Sequence, residues 1–185
     1  MFTKHLVTKD LLEKAKELFG IVFPSETLYD EVDGVLKSCF DEACAHEQTP
    51  DDPWNYYLWN YSTPDKPMGE FIGMSGIYVE KADPKSAWLG WLGVVPEHRR
   101  ERFGTRMLNA FTDECRDRGF RFARLYTNEN NTAAREFYKF NGFKEEKFAG
   151  EAPDYVLNGG PVWIYSKSLY PYDDCPNWGD RHLDF

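Results

Sequence analysis

Residues 94–106 read VVPEHRRERFGTR, and this stretch joins two segments of different character. Before it, residues 88–95 are apolar throughout, which predicts a central strand covered on both faces. After it, apolar residues recur at helical spacing and predict a helix of about four turns, at Phe103, Met107, Leu108, Phe111 and Cys115. The junction carries four arginines, Arg99, Arg100, Arg102 and Arg106. The stretch is therefore a positively charged turn between a strand and a helix.

The start of this helix has the properties of an anion-binding site. The first backbone N–H groups of a helix lack internal partners, and the helix dipole adds partial positive charge there. Arginine side chains add bidentate donors for phosphate oxygens. The chain lacks G-x-x-x-x-G-K-[ST] and G-x-G-x-x-G, which argues against a nucleoside triphosphatase or a dinucleotide site. A solvated basic turn that binds no ligand stays open as the alternative.

Composition limits the kind of ligand. The 185 residues include 22 Lys plus Arg and 31 Asp plus Glu, for a net charge of −9. This charge disfavours nucleic acids and anionic membranes and favours cationic ligands, so a DNA-binding domain built on the four arginines is not expected. The cysteines and histidines show no metal-ligand spacing, so no metal site is expected. Without a signal peptide or a long apolar run, a cytoplasmic protein with no membrane contact is expected.

The remaining patterns predict an alternation of helices and strands. Helices are predicted near 11–19, 32–43 and 132–140, and strands near 54–61, 70–79, 122–127, 143–148 and 162–168. The helix near 132–140 is expected to end at Asn141-Gly142, where glycine suits a left-handed cap. This order predicts an α+β fold (mixed α/β) in which helices cover both faces of a mixed sheet. We expect a single domain over residues 1–169, followed by a tail over 170–185 that no pattern assigns.

Two motifs give the chain a family resemblance. Val94, Pro96, Arg99 and Gly104 fit V-x-P-x-x-[RQ]-x-x-G-x-[GA]. The segment 131–143, NTAAREFYKFNGF, fits N-x-x-A-x-x-[FL]-Y-x-x-x-G-F at every position. Together they resemble the GNAT superfamily of acyl-CoA N-acyltransferases, specifically over about residues 87–148. The resemblance implies a central, mostly antiparallel sheet of about seven strands, and family members are often dimers, so a homodimer is possible.

The resemblance implies acetyl-CoA as cosubstrate. Its pyrophosphate would bind backbone N–H groups from Arg100 to Thr105, a range that includes Arg102, Phe103 and Gly104, with Arg99 beside them. Its pantetheine arm would pair with backbone groups of the fourth strand, at Leu92, Val94 and Val95. Asn131 would either contact the cofactor or cap the following helix.

Arg102 departs from the family pattern, which prefers glycine at this position. Glycine there lets the backbone approach the pyrophosphate closely or adopt unusual dihedrals. Arg102 would still offer its N–H if its dihedrals are helical, or its side chain would reach a phosphate instead.

Tyr138 matches the family tyrosine that protonates the leaving thiolate, although it could instead only pack beside Phe137. A phenol with an ordinary pKa of about 10 can donate a proton to a thiolate whose parent pKa is about 8.5. For the general base, the chain offers Glu80 at the end of a hairpin strand and Glu129 after the fifth strand. Each could instead be a solvated surface acid, and a water chain or an already neutral amine would also serve.

The acceptor is expected to be a small cationic amine, although a protein N-terminus or a lysine stays open. Acidic and aromatic residues could form a pocket that attracts a cation, namely Glu26, Asp30, Glu31, Asp33, Trp54, Tyr56, Trp59, Trp88 and Trp91. Most of these aromatic residues could equally belong to the core. The leading hypothesis is an acetyl-CoA-dependent N-acetyltransferase, and the alternative is a non-catalytic acyl-CoA-binding regulatory domain on the same fold.

Overall fold

A computed structural model describes residues 1–24, 54–152, 160–179 and 181. Its elements are β1 (Phe2–Leu6), α1 (Leu12–Val22), β2 (Trp54–Tyr61), β3 (Glu70–Tyr78), β4 (Ser86–Val94), α2 (Phe103–Asp117), β5 (Phe122–Asn128), α3 (Thr132–Phe140), β6 (Lys144–Lys147) and β7 (Val162–Ser168). Short 3₁₀ turns at Lys9–Leu11 and Pro96–His98 precede α1 and α2. The helix predicted near 32–43 lies outside the described residues.

The strands form a seven-stranded sheet in the order β1-β2-β3-β4-β5-β7-β6. β4 and β5 are parallel, whereas β1 with β2, β2 with β3, β5 with β7 and β6 with β7 are antiparallel. A parallel pair needs a long crossover connection, and α2 lies in the connection between β4 and β5. The predicted α+β fold with a mixed, mostly antiparallel sheet is confirmed.

β1 is a strand that the sequence pattern did not predict. Its five residues, FTKHL, are half-buried or exposed, because β1 is an edge strand. It pairs with β2 in a register that sets Phe2 opposite Tyr61. The polar residues that hide this strand from a hydrophobicity pattern are typical of sheet edges, which must not pair with other chains.

The chain divides into two compact units. The first comprises Met1–Tyr78 and Gly90–Asn109. Its largest fully buried side chains are Phe19, Leu58, Ile72, Met74, Met107 and Leu108. Trp59 also belongs to this core, where its indole N–H donates a 2.8 Å hydrogen bond to Ser75 Oγ.

The second unit comprises Val79–Leu89 and Ala110–Phe185. Its fully buried side chains include the cation Arg124. Arg124 Nε donates to Asp83 Oδ2 at 2.8 Å, and its terminal nitrogens donate to Ser166 Oγ and to the carbonyl oxygen of Pro176. A buried charge is tolerated only when it is paired and hydrogen-bonded, as it is here.

The described part of the C-terminal tail packs within this second unit. Trp178 is 3% exposed, and its ring meets that of Trp88 edge to face at 6.1 Å. The Trp178 backbone N–H donates to Glu146 at 2.6 Å, and Arg121 forms a two-bond ion pair with Asp173. The described residues of the tail are therefore anchored to β4, to β6 and to Arg121, just before β5.

Candidate functional site

The positively charged turn lies in the first unit, between the end of β4 and the start of α2. After the 3₁₀ turn at Pro96–His98, Arg100 and Arg102 have positive φ angles of 69° and 64°. α2 then begins at Phe103, and the N–H of Arg106 donates to the carbonyl oxygen of Arg102 at 3.1 Å. The strand–turn–helix arrangement predicted around residues 94–106 is confirmed.

The helix start offers donors that the described residues leave unused. No described residue accepts a hydrogen bond from the backbone N–H groups of Phe103, Gly104 and Thr105, as is usual in the first turn of a helix. The side chains of Arg100 and Arg102 are exposed, and among the same residues neither forms an ion pair or a hydrogen bond. Free amides, a helix dipole and two free guanidinium groups converge on one short segment, which can hold a phosphate group.

Arg102 has a conformation that the sequence analysis did not expect. Its φ of 64° lies in the left-handed region and not in the right-handed helical region. Glycine adopts this conformation without strain, whereas an L-residue with a Cβ atom pays for it. The backbone shape that favours glycine at this position is therefore kept, and Arg102 is strained.

Arg99 contributes to the turn differently from its neighbours. Its Nε donates to the Val94 carbonyl oxygen at 2.9 Å, and its Nη2 donates to the Val22 carbonyl oxygen at 3.3 Å. The guanidinium group thus joins the end of β4 to the C-terminal end of α1. This geometry gives Arg99 a structural role in the site, whether or not its remaining nitrogen reaches a ligand.

His98 also holds the turn in place. Its Nε2 lies 3.3 Å from Glu70 Oε1, and its Nδ1 lies 3.5 Å from Glu101 Oε2. A hydrogen bond from Lys66 and a weaker contribution from the His98 hydrogen bond lower the pKa of Glu70. The imidazole also packs edge to face on Phe103, the first residue of α2. The turn is therefore held in place by polar contacts with β3 as well as by its own backbone.

The end of β4 is irregular where the cofactor arm was expected. Trp91 has a φ of 45°, an unusual value for a bulky residue inside a strand, and it is 36% exposed in a segment predicted to be covered on both faces. Leu92 follows directly and is half-buried. The Val95 N–H donates to the Ile72 carbonyl oxygen at 2.8 Å, so this amide is already bonded.

The aromatic residues considered for a cation pocket separate into different environments. Trp59 is buried in the core of the first unit and Trp88 in that of the second, so both are core residues. Trp91 is partly exposed, and its ring contacts Phe19 and Phe23 edge to face. The four acidic residues of the expected pocket, Glu26, Asp30, Glu31 and Asp33, lie outside the described residues.

The second motif forms α3 in the second unit. Asn131 Oδ1 accepts a 3.3 Å hydrogen bond from the Ala134 N–H, so Asn131 caps this helix. At the other end Gly142 has a φ of 83°, which confirms the left-handed helix end that the sequence predicted.

Tyr138 is buried on the inner side of α3. Its ring packs edge to face on Phe137 and Phe143, and it meets Tyr165 at a centroid distance of 5.5 Å. Its hydroxyl forms no hydrogen bond to any described residue. Burial, with a smaller contribution from Tyr165, raises the pKa of Tyr138 above that of an ordinary phenol. The phenol is therefore protonated at neutral pH, and the raised pKa makes it a weaker acid than an ordinary phenol.

The two glutamates expected as possible bases differ in exposure. Glu80 is 5% exposed, so it is not the solvated surface acid that sequence reasoning allowed. Its carbonyl oxygen accepts a hydrogen bond from the Asp83 N–H at 3.0 Å. Glu129 lies exposed in the turn that follows β5, where its N–H donates to the Pro161 carbonyl oxygen.

The sequence analysis missed a cluster of three polar side chains beneath α3. Arg135 donates from Nη2 to Glu145 Oε2 at 3.0 Å and from Nε to the Tyr165 hydroxyl at 3.1 Å. The Tyr165 hydroxyl in turn donates to Glu145. Only Arg135 lies inside the recognised motif, at a variable position, so no local pattern marked the cluster.

The described residues contain neither a metal-ligand cluster nor a membrane-spanning helix. No group of three or more His, Cys, Asp or Glu side chains in the described ranges could hold a metal ion. Within the same ranges, no helix combines the length and apolar character needed to cross a membrane.

Comparisons with known proteins agree with the geometry. Residues 12–143 match the Acetyltransferase (GNAT) family. The chain is 27% identical over 130 residues to N-alpha-acetyltransferase 30 of Schizosaccharomyces pombe, covering 65% of this chain and 83% of that protein.

Solved structures resemble this one along most of their length. An acetyltransferase of the GNAT family from Staphylococcus aureus superposes with a TM-score of 0.67 at 16% identity, covering 92% of this chain and 100% of that one. The spermidine/spermine N-acetyltransferase SpeG from Vibrio cholerae superposes with a TM-score of 0.63 at 16% identity, covering 91% and 92%. At these identities the likeness concerns the fold alone.

Proposed function

Because the chain belongs to the GNAT acetyltransferase family, we propose that it transfers an acetyl group from acetyl-CoA to a primary amine. The turn at the start of α2 is the observation that supports acetyl-CoA as the cosubstrate. There the N–H groups of Phe103, Gly104 and Thr105 lack acceptors among the described residues, and Arg100 and Arg102 lack partners. These donors fit the pyrophosphate of coenzyme A, while Arg99 and His98 hold the turn in shape.

The pantetheine arm of acetyl-CoA is proposed to bind at the irregular end of β4. The positive φ of Trp91 interrupts the regular strand just before Leu92 and Val94. Backbone groups at such an interruption can pair with the amides of pantetheine, and an N–H there would stabilise the negative charge that develops on the thioester oxygen. Val95 would lie beside the pantetheine arm but would not donate its N–H to it, because that N–H already donates to the Ile72 carbonyl oxygen.

Tyr138 acts as the general acid in this proposal. The nitrogen of the neutral amine bonds to the acetyl carbon, the carbon–sulfur bond breaks, and the sulfur leaves with the bonding electrons. Tyr138 gives its phenolic proton to that sulfur, and the amine loses one proton to a base. Glu80, Glu129 and a water chain are the choices for this base, and Glu80 is the more buried of the two carboxylates.

The acceptor is proposed to be a small cationic amine such as a polyamine. The net charge of −9 favours cationic substrates, and one structural relative is a spermidine/spermine N-acetyltransferase. A second acceptor, the α-amine of a peptide, has its own support from the relative named N-alpha-acetyltransferase 30. We further propose that the enzyme acts in the cytoplasm as a homodimer, with no metal and no nucleic acid.

The test is release of free coenzyme A from acetyl-CoA in the presence of an amine panel. Free coenzyme A is best measured by chromatography, because an accessible cysteine of the chain, such as the half-buried Cys175, would also react with thiol reagents. Turnover with a polyamine supports the first acceptor, and turnover only with peptide N-termini supports the second. Saturable acetyl-CoA binding without turnover on any amine would instead indicate the non-catalytic acyl-CoA-binding domain. Absence of acetyl-CoA binding would refute both functions.

A further inference from the structure

The cluster beneath α3 joins three elements of the second unit. Arg135 comes from α3, Glu145 from β6 and Tyr165 from β7. Each member contacts the other two: Arg135 donates to Glu145 and to the Tyr165 hydroxyl, and that hydroxyl donates to Glu145. The Arg135 guanidinium also lies 4.3 Å from the centre of the Trp163 ring.

The members of the cluster are largely shielded from water. The side chains of Arg135 and Glu145 are 18% and 22% exposed, and Tyr165 is fully buried. Burial alone would raise the pKa of Glu145, but the hydrogen bonds from Tyr165 and Arg135 outweigh it and lower that pKa. Glu145 is therefore ionised at neutral pH, and both of its partners bind a charged acceptor, which makes stronger hydrogen bonds than a neutral one.

Tyr165 is the member of the cluster whose ring contacts Tyr138. Arg135 and Tyr138 are three positions apart on α3, so they share one face of the helix. Below that face the Tyr165 ring packs on the Tyr138 ring at a centroid distance of 5.5 Å, while the Tyr165 hydroxyl is held by the ion pair. Since the Tyr138 hydroxyl has no hydrogen-bond partner among the described residues, its orientation depends on the rings packed around it.

We infer that Tyr165, held by the Arg135–Glu145 ion pair, is a positioning residue that sets the direction of the Tyr138 hydroxyl. This inference rests on the proposed role of Tyr138 as general acid. A shift of the acid by about 1 Å can cost about a hundredfold in rate, so a loosened Tyr165 slows proton transfer to the leaving sulfur. The cluster contacts no substrate, and its effect passes entirely through Tyr138.

The test is a double-mutant cycle in the full-length chain. Tyr165→Phe removes the hydroxyl but keeps the ring against Tyr138, and Glu145→Gln keeps the shape but removes the charge. Each should lower kcat about three- to tenfold in the wild-type background with acetyl-CoA affinity unchanged within about twofold. In a Tyr138→Phe background the same changes should lower kcat by less than about twofold, because no acid is left to position.

Glu136→Gln is the matched control. Glu136 pairs with Lys139 on the exposed side of α3, so this variant removes a glutamate charge from the same helix without touching the cluster. Its kcat should equal that of the wild type. Thermal unfolding of each variant measures any loss of stability, and Tyr165→Phe remains informative if Glu145→Gln does not fold.

The outcomes separate the inference from the proposed function. If Tyr138→Phe lowers kcat and the Tyr165→Phe loss persists undiminished in that background, the inference is wrong and the proposed acid role stands. An unchanged kcat in Tyr165→Phe has the same meaning. If Tyr138→Phe leaves kcat unchanged, the acid role itself is wrong, and the inference fails with it.

Discussion

Replacing Arg102 by glycine tests whether this turn is strained. Arg102 has a φ of 64°, in the left-handed region that suits glycine, and its exposed side chain has no partner among the described residues. Arg102→Gly therefore relieves the backbone and removes no contact that the described structure contains. Arg102→Ala removes the same charge but keeps a Cβ atom, so it keeps the strain. The comparison between these two variants isolates the backbone conformation from the loss of charge.

The magnitude follows from two opposing effects. A left-handed conformation costs a residue with a Cβ atom about 1–2 kcal/mol. The greater freedom of glycine in the unfolded chain opposes this by about 0.4–1 kcal/mol. With the middle of each range, Arg102→Gly should thus be more stable than Arg102→Ala by about 0.8 kcal/mol.

Urea unfolding of both variants measures this difference. With a slope of about 2 kcal/mol per molar urea, the midpoint of Arg102→Gly should lie about 0.4 M above that of Arg102→Ala, with equal slopes. Both should lose acetyl-CoA affinity alike, because both lack the guanidinium group. A midpoint for Arg102→Gly at or below that of Arg102→Ala would show that the turn is not strained at this residue.

Three further substitutions test other parts of the site. Tyr138→Phe should lower kcat by about a hundredfold with little change in acetyl-CoA affinity, measured by steady-state kinetics and equilibrium binding, because it removes only the transferable proton; an unchanged kcat would exclude the acid role. Arg99→Met should destabilise the chain by about 1–3 kcal/mol in urea unfolding, because the carbonyl oxygens of Val94 and Val22 lose their donor. Arg100→Met is the control and should not destabilise it; equal effects of the two variants would contradict a structural role for Arg99. Trp178→Ala should cost about 3–5 kcal/mol by leaving a cavity, whereas Tyr172→Ala, at a residue 98% exposed, should cost almost nothing; a mild Trp178→Ala would mean that the tail contributes little to stability.

Sequence reasoning succeeded where the relevant interactions are local. The turn between β4 and α2 follows from an apolar run, a proline and a helical repeat within a few residues of each other. The left-handed end of α3 follows from Gly142 for the same reason. The family resemblance, now confirmed, rested on two such local segments.

The same reasoning failed where the partners are distant in the chain. β1 forms because its residues pair with β2, as Phe2 does with Tyr61, and no pattern within FTKHL predicts that partner strand. Trp178 is buried because it meets Trp88, and its own neighbourhood in the sequence resembles a polar tail. Glu80 is buried although the pattern around it is that of a surface turn.

The sequence by itself determined the family, the order of the described elements after β1 and the positively charged turn, because backbone preference and hydrophobic spacing act over a few residues. The tertiary structure alone decided what each charged side chain of the site does. Arg99 binds carbonyl oxygens of β4 and α1, Arg102 accepts a left-handed backbone, and Arg135 joins α3 to Glu145. A guanidinium group can bind a phosphate, a carbonyl oxygen or a carboxylate equally well, and only the folded chain determines which of these lies within 3 Å or so of it.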